Sequence, residues 1–92
     1  MKIKDANGFW VNIGDEVVFL GLRYHALYPD SYYDWDAKSH NITFKVKDIV
    51  ISNGHFCFVD SNDQAYIANC CILKKTSDFI EKVLDIHDRF MV

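Results

Sequence analysis

The stretch Phe44–Lys75 constrains the fold more than any other part of this 92-residue chain. It contains runs of apolar residues separated by two short polar turns. Asn53-Gly54 is typical of a two-residue hairpin connection, because both central positions of a type I′ turn need a positive φ angle. The second turn, Ser61–Gln64, is a slightly longer polar connection. The stretch therefore predicts three consecutive antiparallel strands and a mainly β fold.

The residues around this stretch predict further short strands. Met1–Val11 is expected to form a hairpin that turns at Asn7-Gly8, and a turn at Gly14-Asp15 precedes the apolar strand Glu16–Leu20. Within the central stretch the apolar alternation slips by one residue at Lys47-Asp48, which predicts a β-bulge or a sharp bend. Short, evenly spaced strands are typical of a small barrel.

The segment Gly21–Asn41 shows no helical or strand period along its full length. A connection this long is uncommon in a small domain and is usually functional or mobile. Its aromatic side chains offer large contact areas at low entropic cost, and its aspartates suit a partner that presents Arg or Lys. We expect protein binding here, the alternative being that one or two rings fold back onto the barrel. The candidate binding residues are Tyr24, Tyr28, Asp30, Tyr32, Tyr33, Asp34, Trp35 and Asp36.

The C-terminal part of the chain changes to helical spacing. Ser77 or Asp78 is suited to cap a helix, and apolar residues recur on one face of the following turns. We expect residues 76–92 to form an amphipathic helix that docks on residues 1–75, so that the chain is one domain. The helix either closes one end of the barrel or contributes Phe90 and Met91 to a dimer contact. The protein is accordingly expected to be a monomer or a homodimer.

Composition and charge exclude several classes of protein. Half of the residues are hydrophobic and 25% are charged, which is typical of a globular chain. The net charge of −3 argues against the broad basic face of a non-specific nucleic-acid binder. The sequence contains no apolar run of bilayer length and no signal segment, so we expect a cytoplasmic protein with no membrane partner. Three cysteines fit reduced thiols better than a disulfide framework.

His55, Cys57, Cys70 and Cys71 suggest a zinc site, because thiolate and imidazole are zinc ligands. Cys70 and Cys71, however, are neighbours in a predicted strand and would point to opposite faces. Buried thiols that pack as small apolar groups are the favoured interpretation, with no metal and no cofactor. The sequence also lacks a nucleophile elbow and a phosphate-binding glycine loop, so we expect a protein that is not an enzyme.

Three segments, Gly14–Phe19, Phe44–Ile49 and Ala65–Ile72, together resemble the strand pattern of Src-homology-3-like (SH3-like) barrels. More narrowly, the pattern is similar to short barrel proteins of bacteriophages, prophages and bacterial mobile elements. The resemblance covers residues 9–75 and implies a small barrel of about five short antiparallel strands, with residues 21–41 as the long RT loop. It implies binding to peptides or proteins or, in KOW and Tudor relatives, to nucleic acid or modified side chains.

Two features limit what the resemblance implies. Phe56 and Cys57 stand where peptide-binding SH3 domains have a tryptophan pair, and Ala68 and Cys71 replace their groove proline and tyrosine. The resemblance therefore does not extend to recognition of proline-rich peptides. An aromatic cage for a methylated lysine is a narrower interpretation of the aromatic segment.

Nucleic-acid binding is the alternative function. Lys45, Lys47, Lys74 and Lys75 form a small basic cluster, and aromatic rings can stack on unpaired bases. Residues 42–75 nevertheless carry four lysines against three aspartates, a net charge of only +1. The sequence therefore favours a non-enzymatic protein-binding module, in a phage or mobile element, that modulates a host protein.

Overall fold

The computed structural model describes residues 1–29 and 41–80, and these form a mainly β structure. Within them lie eight short strands, all paired antiparallel. In chain order these are β1 (Lys2–Lys4), β2 (Trp10–Asn12), β3 (Glu16–Leu20), β4 (Asn41–Lys45), β5 (Asp48–Ser52), β6 (His55–Val59), β7 (Ala65–Ile67) and β8 (Cys71–Leu73). Helix α1 covers Gly21–Leu27, a 3₁₀ turn covers Ala68–Cys70, and helix α2 begins at residue 74 and is described as far as residue 80.

The strands form three small sheets. β1 pairs with β2, one three-stranded sheet has the order β4-β3-β8, and the other has the order β5-β6-β7. Within residues 1–29 and 41–80 no sheet closes on itself. The predicted mainly β class is confirmed, and the strands are shorter and more numerous than the sequence suggested.

The bend predicted at Lys47-Asp48 is confirmed, and it carries the chain from one sheet to the other. Only Val46 and Lys47 separate β4 from β5. The Lys47 amide donates to the carbonyl of Val59 at 2.8 Å, although Asp48 is the residue opposite Val59. Lys47 and Asp48 thus both lie opposite Val59, as in a β-bulge. Strands that switch sheets at such a bend form the corners of packed β structures.

The two predicted turns of the central stretch also form. Asn53 and Gly54 have φ angles of 52° and 81°, and they connect Ser52 with its partner His55. The run after the second turn was predicted as a single strand, and here the structure differs. The 3₁₀ turn Ala68–Cys70 interrupts it, so β7 stays beside β6 whereas β8 moves to β3.

The structure also differs from the sequence prediction at Gly21–Leu27, where α1 replaces the first part of the expected loop. This helix has no side-chain N-cap and only 7 residues, too few for stability in isolation. Tertiary contacts hold it instead: the ring of Tyr24 lies 5.5 Å from that of Phe19, and Nε of Arg23 donates to the carbonyl of Asn69 at 2.8 Å. Such contacts leave no periodic pattern in the helix sequence.

Aromatic rings connect the two three-stranded sheets in the core. Tyr66 of β7 stacks on Phe44 of β4 with centroids 4.5 Å apart, and it lies 5.0 Å from Phe19 of β3. Phe19 and Phe58 are almost completely buried. Each such side chain contributes about 1.5–3 kcal/mol on burial. The core therefore depends on contacts between residues of different sheets.

The N-terminal hairpin is attached to the rest of the molecule through β8. The amide of Ala6 donates to the carbonyl of Cys71 at 2.9 Å, and the amide of Leu73 donates to Oδ2 of Asp5 at 3.0 Å. Ile3 and Val11 face each other across the hairpin, and both are buried. These contacts place the opposite face of the hairpin, which carries Trp10, toward solvent.

Candidate functional site

The structure places two of the predicted binding residues in or against the core. Tyr24 is only 8% exposed, and its ring lies 5.2 Å from that of the partly buried Tyr28. Tyr28 in turn makes an edge contact with His55 at 5.7 Å. These two rings fold back onto the sheets, which was the alternative for part of the aromatic segment. Asp30, Tyr32, Tyr33, Asp34, Trp35 and Asp36 lie outside the described residues.

The four lysines of the nucleic-acid alternative differ in their surroundings. Nζ of Lys47 lies 2.6 Å from Oδ1 of Asp63, and this hydrogen bond, with the carboxylate charge, raises the pKa of Lys47. Nζ of Lys74 lies 2.9 Å from Oδ2 of Asp78, one turn along α2. Lys45 and Lys75 are exposed. Half of the cluster is thus already compensated by carboxylates.

The three cysteines are free and buried. Burial raises the pKa of the Cys57 and Cys70 thiols and, most strongly, that of Cys71. The described part of the chain contains no group of three or more His, Cys, Asp or Glu side chains arranged to hold a metal ion. The structure thus gives these thiols packing contacts and places them out of contact with solvent.

A surface groove that the sequence analysis did not identify lies between the N-terminal hairpin and the start of α2. Its volume is about 630 Å³, and it is open to solvent. Its lining combines two apolar side chains with five charged ones. The lining residues are Trp10, Gly14, Asp15, Glu16, Leu73, Lys74, Lys75 and Asp78. We call this the Trp10 groove.

Trp10 is the largest apolar side chain of the groove and is 52% exposed. It is the residue opposite Lys4 in the hairpin, and Lys2 shares the same strand face. Nζ of Lys2 and Nζ of Lys4 lie 5.0 and 5.1 Å from the indole centroid, within the range of cation–π contacts. These contacts hold a large ring at the surface in a defined position.

The residues of the groove come from parts of the chain that are far apart in sequence. Trp10 belongs to β2, Glu16 to β3, and Leu73 ends β8. Strand alternation in the predicted hairpin indicates that Trp10 lies opposite the Ile3–Val11 face. The wall of the groove that contains Leu73 depends on the position of β8 beside β3, and local sequence does not reveal that pairing.

No helix within the described ranges is long and apolar enough to cross a membrane. Comparison of the chain with protein-family models, with curated proteins and with solved structures found no match.

Proposed function

We propose that this protein is a non-enzymatic protein-binding module and that the Trp10 groove is part of its binding surface. The observation that carries this proposal is the half-exposed indole in a groove with a charged rim. Exposed tryptophans in concave surfaces are typical centres of protein interfaces, where polar rims surround an apolar contact. Leu73 supplies a second apolar surface in the same groove.

The arrangement of the strands supports an open SH3-like barrel as the finer description of the fold. The bent β4–β5 segment joins the β4-β3-β8 sheet to the β5-β6-β7 sheet. A bent segment that gives one strand to each sheet is compatible with that architecture, as is a short 3₁₀ turn that returns the chain to the first sheet as β8. With this resemblance as motivation, we propose a host protein as the partner, in the setting of a phage or mobile element.

Protein is favoured over nucleic acid because of the charges around the four lysines. Lys47 and Lys74 already contact carboxylates, as described above. Two more acidic side chains, Asp15 and Glu16, line the groove. A nucleic-acid backbone presents closely spaced phosphates, and these carboxylates would repel them.

The proposal is tested by affinity capture from the native cell lysate, with and without nuclease, using the wild type and the Trp10→Ala variant. A partner that survives nuclease and is lost with Trp10→Ala supports the groove. The matched control is Ile51→Ala, because Ile51 is 69% exposed but does not line the groove. Thermal unfolding of each variant first establishes that it folds.

Two results would contradict the proposal. Equal capture by the wild type and Trp10→Ala would exclude the groove, and capture that disappears with nuclease would favour nucleic acid. The double variant Tyr33→Ala with Trp35→Ala separately tests the aromatic segment. Loss of the same partner from that variant would extend the binding surface to both regions.

A further inference from the structure

We infer that the Trp10 groove selects an acidic peptide segment of its protein partner, an inference that rests on the proposed function. The partner segment would place carboxylates against the lysines around the indole. It would place an apolar side chain against Trp10 and Leu73.

Three ammonium groups around the groove have no carboxylate partner within the described residues. Lys2 and Lys4 contact the indole but make no ion pair with a described residue. Lys75, which lines the groove on the side of α2, makes no such ion pair either. Lys2, Lys4 and Lys75 are all exposed. Their charges are therefore available to an incoming anion.

Most of the acidic side chains of the groove, in contrast, are already engaged. Both carboxylate oxygens of Asp78 accept hydrogen bonds from Nζ of Lys74, at 3.0 and 2.9 Å. Oδ2 of Asp15 accepts from the amide of Asn12 at 2.9 Å. Glu16 is the exception, and it faces Lys45 on the neighbouring strand. The hydrogen bond from the Asn12 amide leaves the charge of Asp15 in place, so three unpaired ammonium groups stand against two carboxylates, Asp15 and Glu16, that lack an ion pair among the described residues. A small excess of positive charge therefore remains for a partner, on a chain whose net charge is −3.

A peptide fits this surface better than a nucleic acid, whose phosphate charges are closely and regularly spaced. Because the carboxylates of Asp15 and Glu16 also line the groove, a ligand must place its negative charges singly and leave room for them. A peptide can alternate carboxylates with apolar side chains, and the indole and Leu73 provide an apolar surface for the latter. Rim charges of this kind add specificity and speed of association more than affinity.

The test is selection of short random peptides displayed on phage against the full-length protein, with counter-selection on Trp10→Ala. We expect the recovered peptides to be enriched in Asp and Glu and depleted in Lys and Arg. Binding of a recovered peptide, measured by fluorescence anisotropy, should weaken as salt is raised. Lys75→Glu should weaken it roughly threefold, and the triple reversal with Lys2→Glu and Lys4→Glu roughly tenfold. Lys47→Glu, which lies outside the groove, is the control and should change it less than about twofold.

The outcomes separate this inference from the proposed function. Neutral or basic peptides that need Trp10 would overturn the acidic preference and leave the groove as a binding site. Failure to recover any peptide that survives counter-selection on Trp10→Ala would overturn both. Displacement of a bound acidic peptide by single-stranded DNA at physiological salt would overturn the preference for peptide over nucleic acid.

Discussion

Two turns of this protein share a sequence pattern and a set of hydrogen bonds, although the aspartate of one is buried against β8 and that of the other is partly exposed. They are Asp5–Phe9 and Asp60–Gln64. In each, the aspartate amide donates to the carbonyl four residues later, at 2.8 and 3.0 Å, and Oδ1 accepts from the amides two and four residues later. In each, the fourth residue has a positive φ angle, 83° at Gly8 and 62° at Asp63. Local side-chain to backbone bonding thus determines the same conformation twice.

The turns differ in what the second carboxylate oxygen contacts. Oδ2 of Asp5 accepts from the amide of Leu73, and Asp5 is only 6% exposed. Oδ2 of Asp60 accepts from the hydroxyl of Tyr66 at 3.2 Å, within the same hairpin. The first turn therefore connects the N-terminal hairpin with β8, and the second stabilises its own hairpin. The same local motif has a long-range role only where another strand reaches it.

The largest expected effect is that of Asp5→Ala. This change removes three hydrogen bonds to a carboxylate and leaves partly buried amides unpaired, so we expect a loss of about 3 kcal/mol in the free energy of unfolding. Asp5→Asn should lose less, because Oδ1 can still accept from Asn7 and Phe9 while an NH₂ group faces the Leu73 amide. Urea unfolding measures both changes. A loss below about 1 kcal/mol for Asp5→Ala would show that the contact with β8 contributes little.

Asp60→Ala tests the other side of the comparison and should cost less, about 1–2 kcal/mol. The turn is more exposed, so water can replace the lost bonds to the amides of Asn62 and Gln64. Tyr66→Phe is the control that removes the hydroxyl bond to Oδ2 while it keeps the ring stacked on Phe44. Equal destabilisation by Asp60→Ala and Asp5→Ala would contradict the expectation that the more exposed turn contributes less to stability.

Substitutions at the fourth position of each turn, where the φ angle is positive, should change the free energy of unfolding less. A Cβ added at Gly8 meets no atom within 4 Å, so Gly8→Ala should lose only the cost of the left-handed backbone, about 1 kcal/mol. Asp63→Gly should relieve a similar strain but lose the exposed ion pair with Lys47, for a net change within about 0.5 kcal/mol. Thermal unfolding compares the two variants. Destabilisation by Asp63→Gly to the same extent as by Gly8→Ala would mean that the ion pair matters more than the backbone.

These turns show which parts of the fold the sequence can predict. The hairpin turns at Asn7-Gly8, Asn53-Gly54 and Ser61–Gln64, and the bend at Lys47-Asp48, follow from residues that are adjacent in the chain. Helix α1 was not predicted, because its stability comes from contacts with β3 and the 3₁₀ turn. The division of the last strand depends on the same kind of long-range pairing.

The candidate site was less predictable for the same reason. Its two walls, Trp10 and Leu73, meet only because β8 lies beside β3 and the Asp5 turn holds the hairpin against β8. Residue type alone was also a poor guide to exposure. Tyr24 was a candidate for binding and lies in the core, whereas Trp10 was assigned no role and lies half exposed in a groove.

The smallest expected effect concerns the thiol of Cys71, which reports on the first turn. Burial raises the pKa of this thiol above its ordinary value of 9.0, and the charges of Cys70, Cys57 and Asp5 raise it further. Because the folded pKa is raised, the associated stability is fully present below pH 9 and is lost as the pH rises above it. Cys71→Ala should therefore show a smaller fall in stability between neutral and alkaline pH than the wild type, measured by urea unfolding.

The same thiol distinguishes the two turns without unfolding the protein. Alkylation of Cys71 by iodoacetamide, followed by mass spectrometry, should be far slower than that of an exposed thiol, because the reactive thiolate is disfavoured and buried. Asp5→Asn should accelerate it, since the change removes a nearby negative charge and loosens the hairpin over β8. Asp60→Asn, in the exposed turn, should leave the rate unchanged. Equal acceleration by both variants would mean that the thiol senses global stability and not the contact between the first turn and β8.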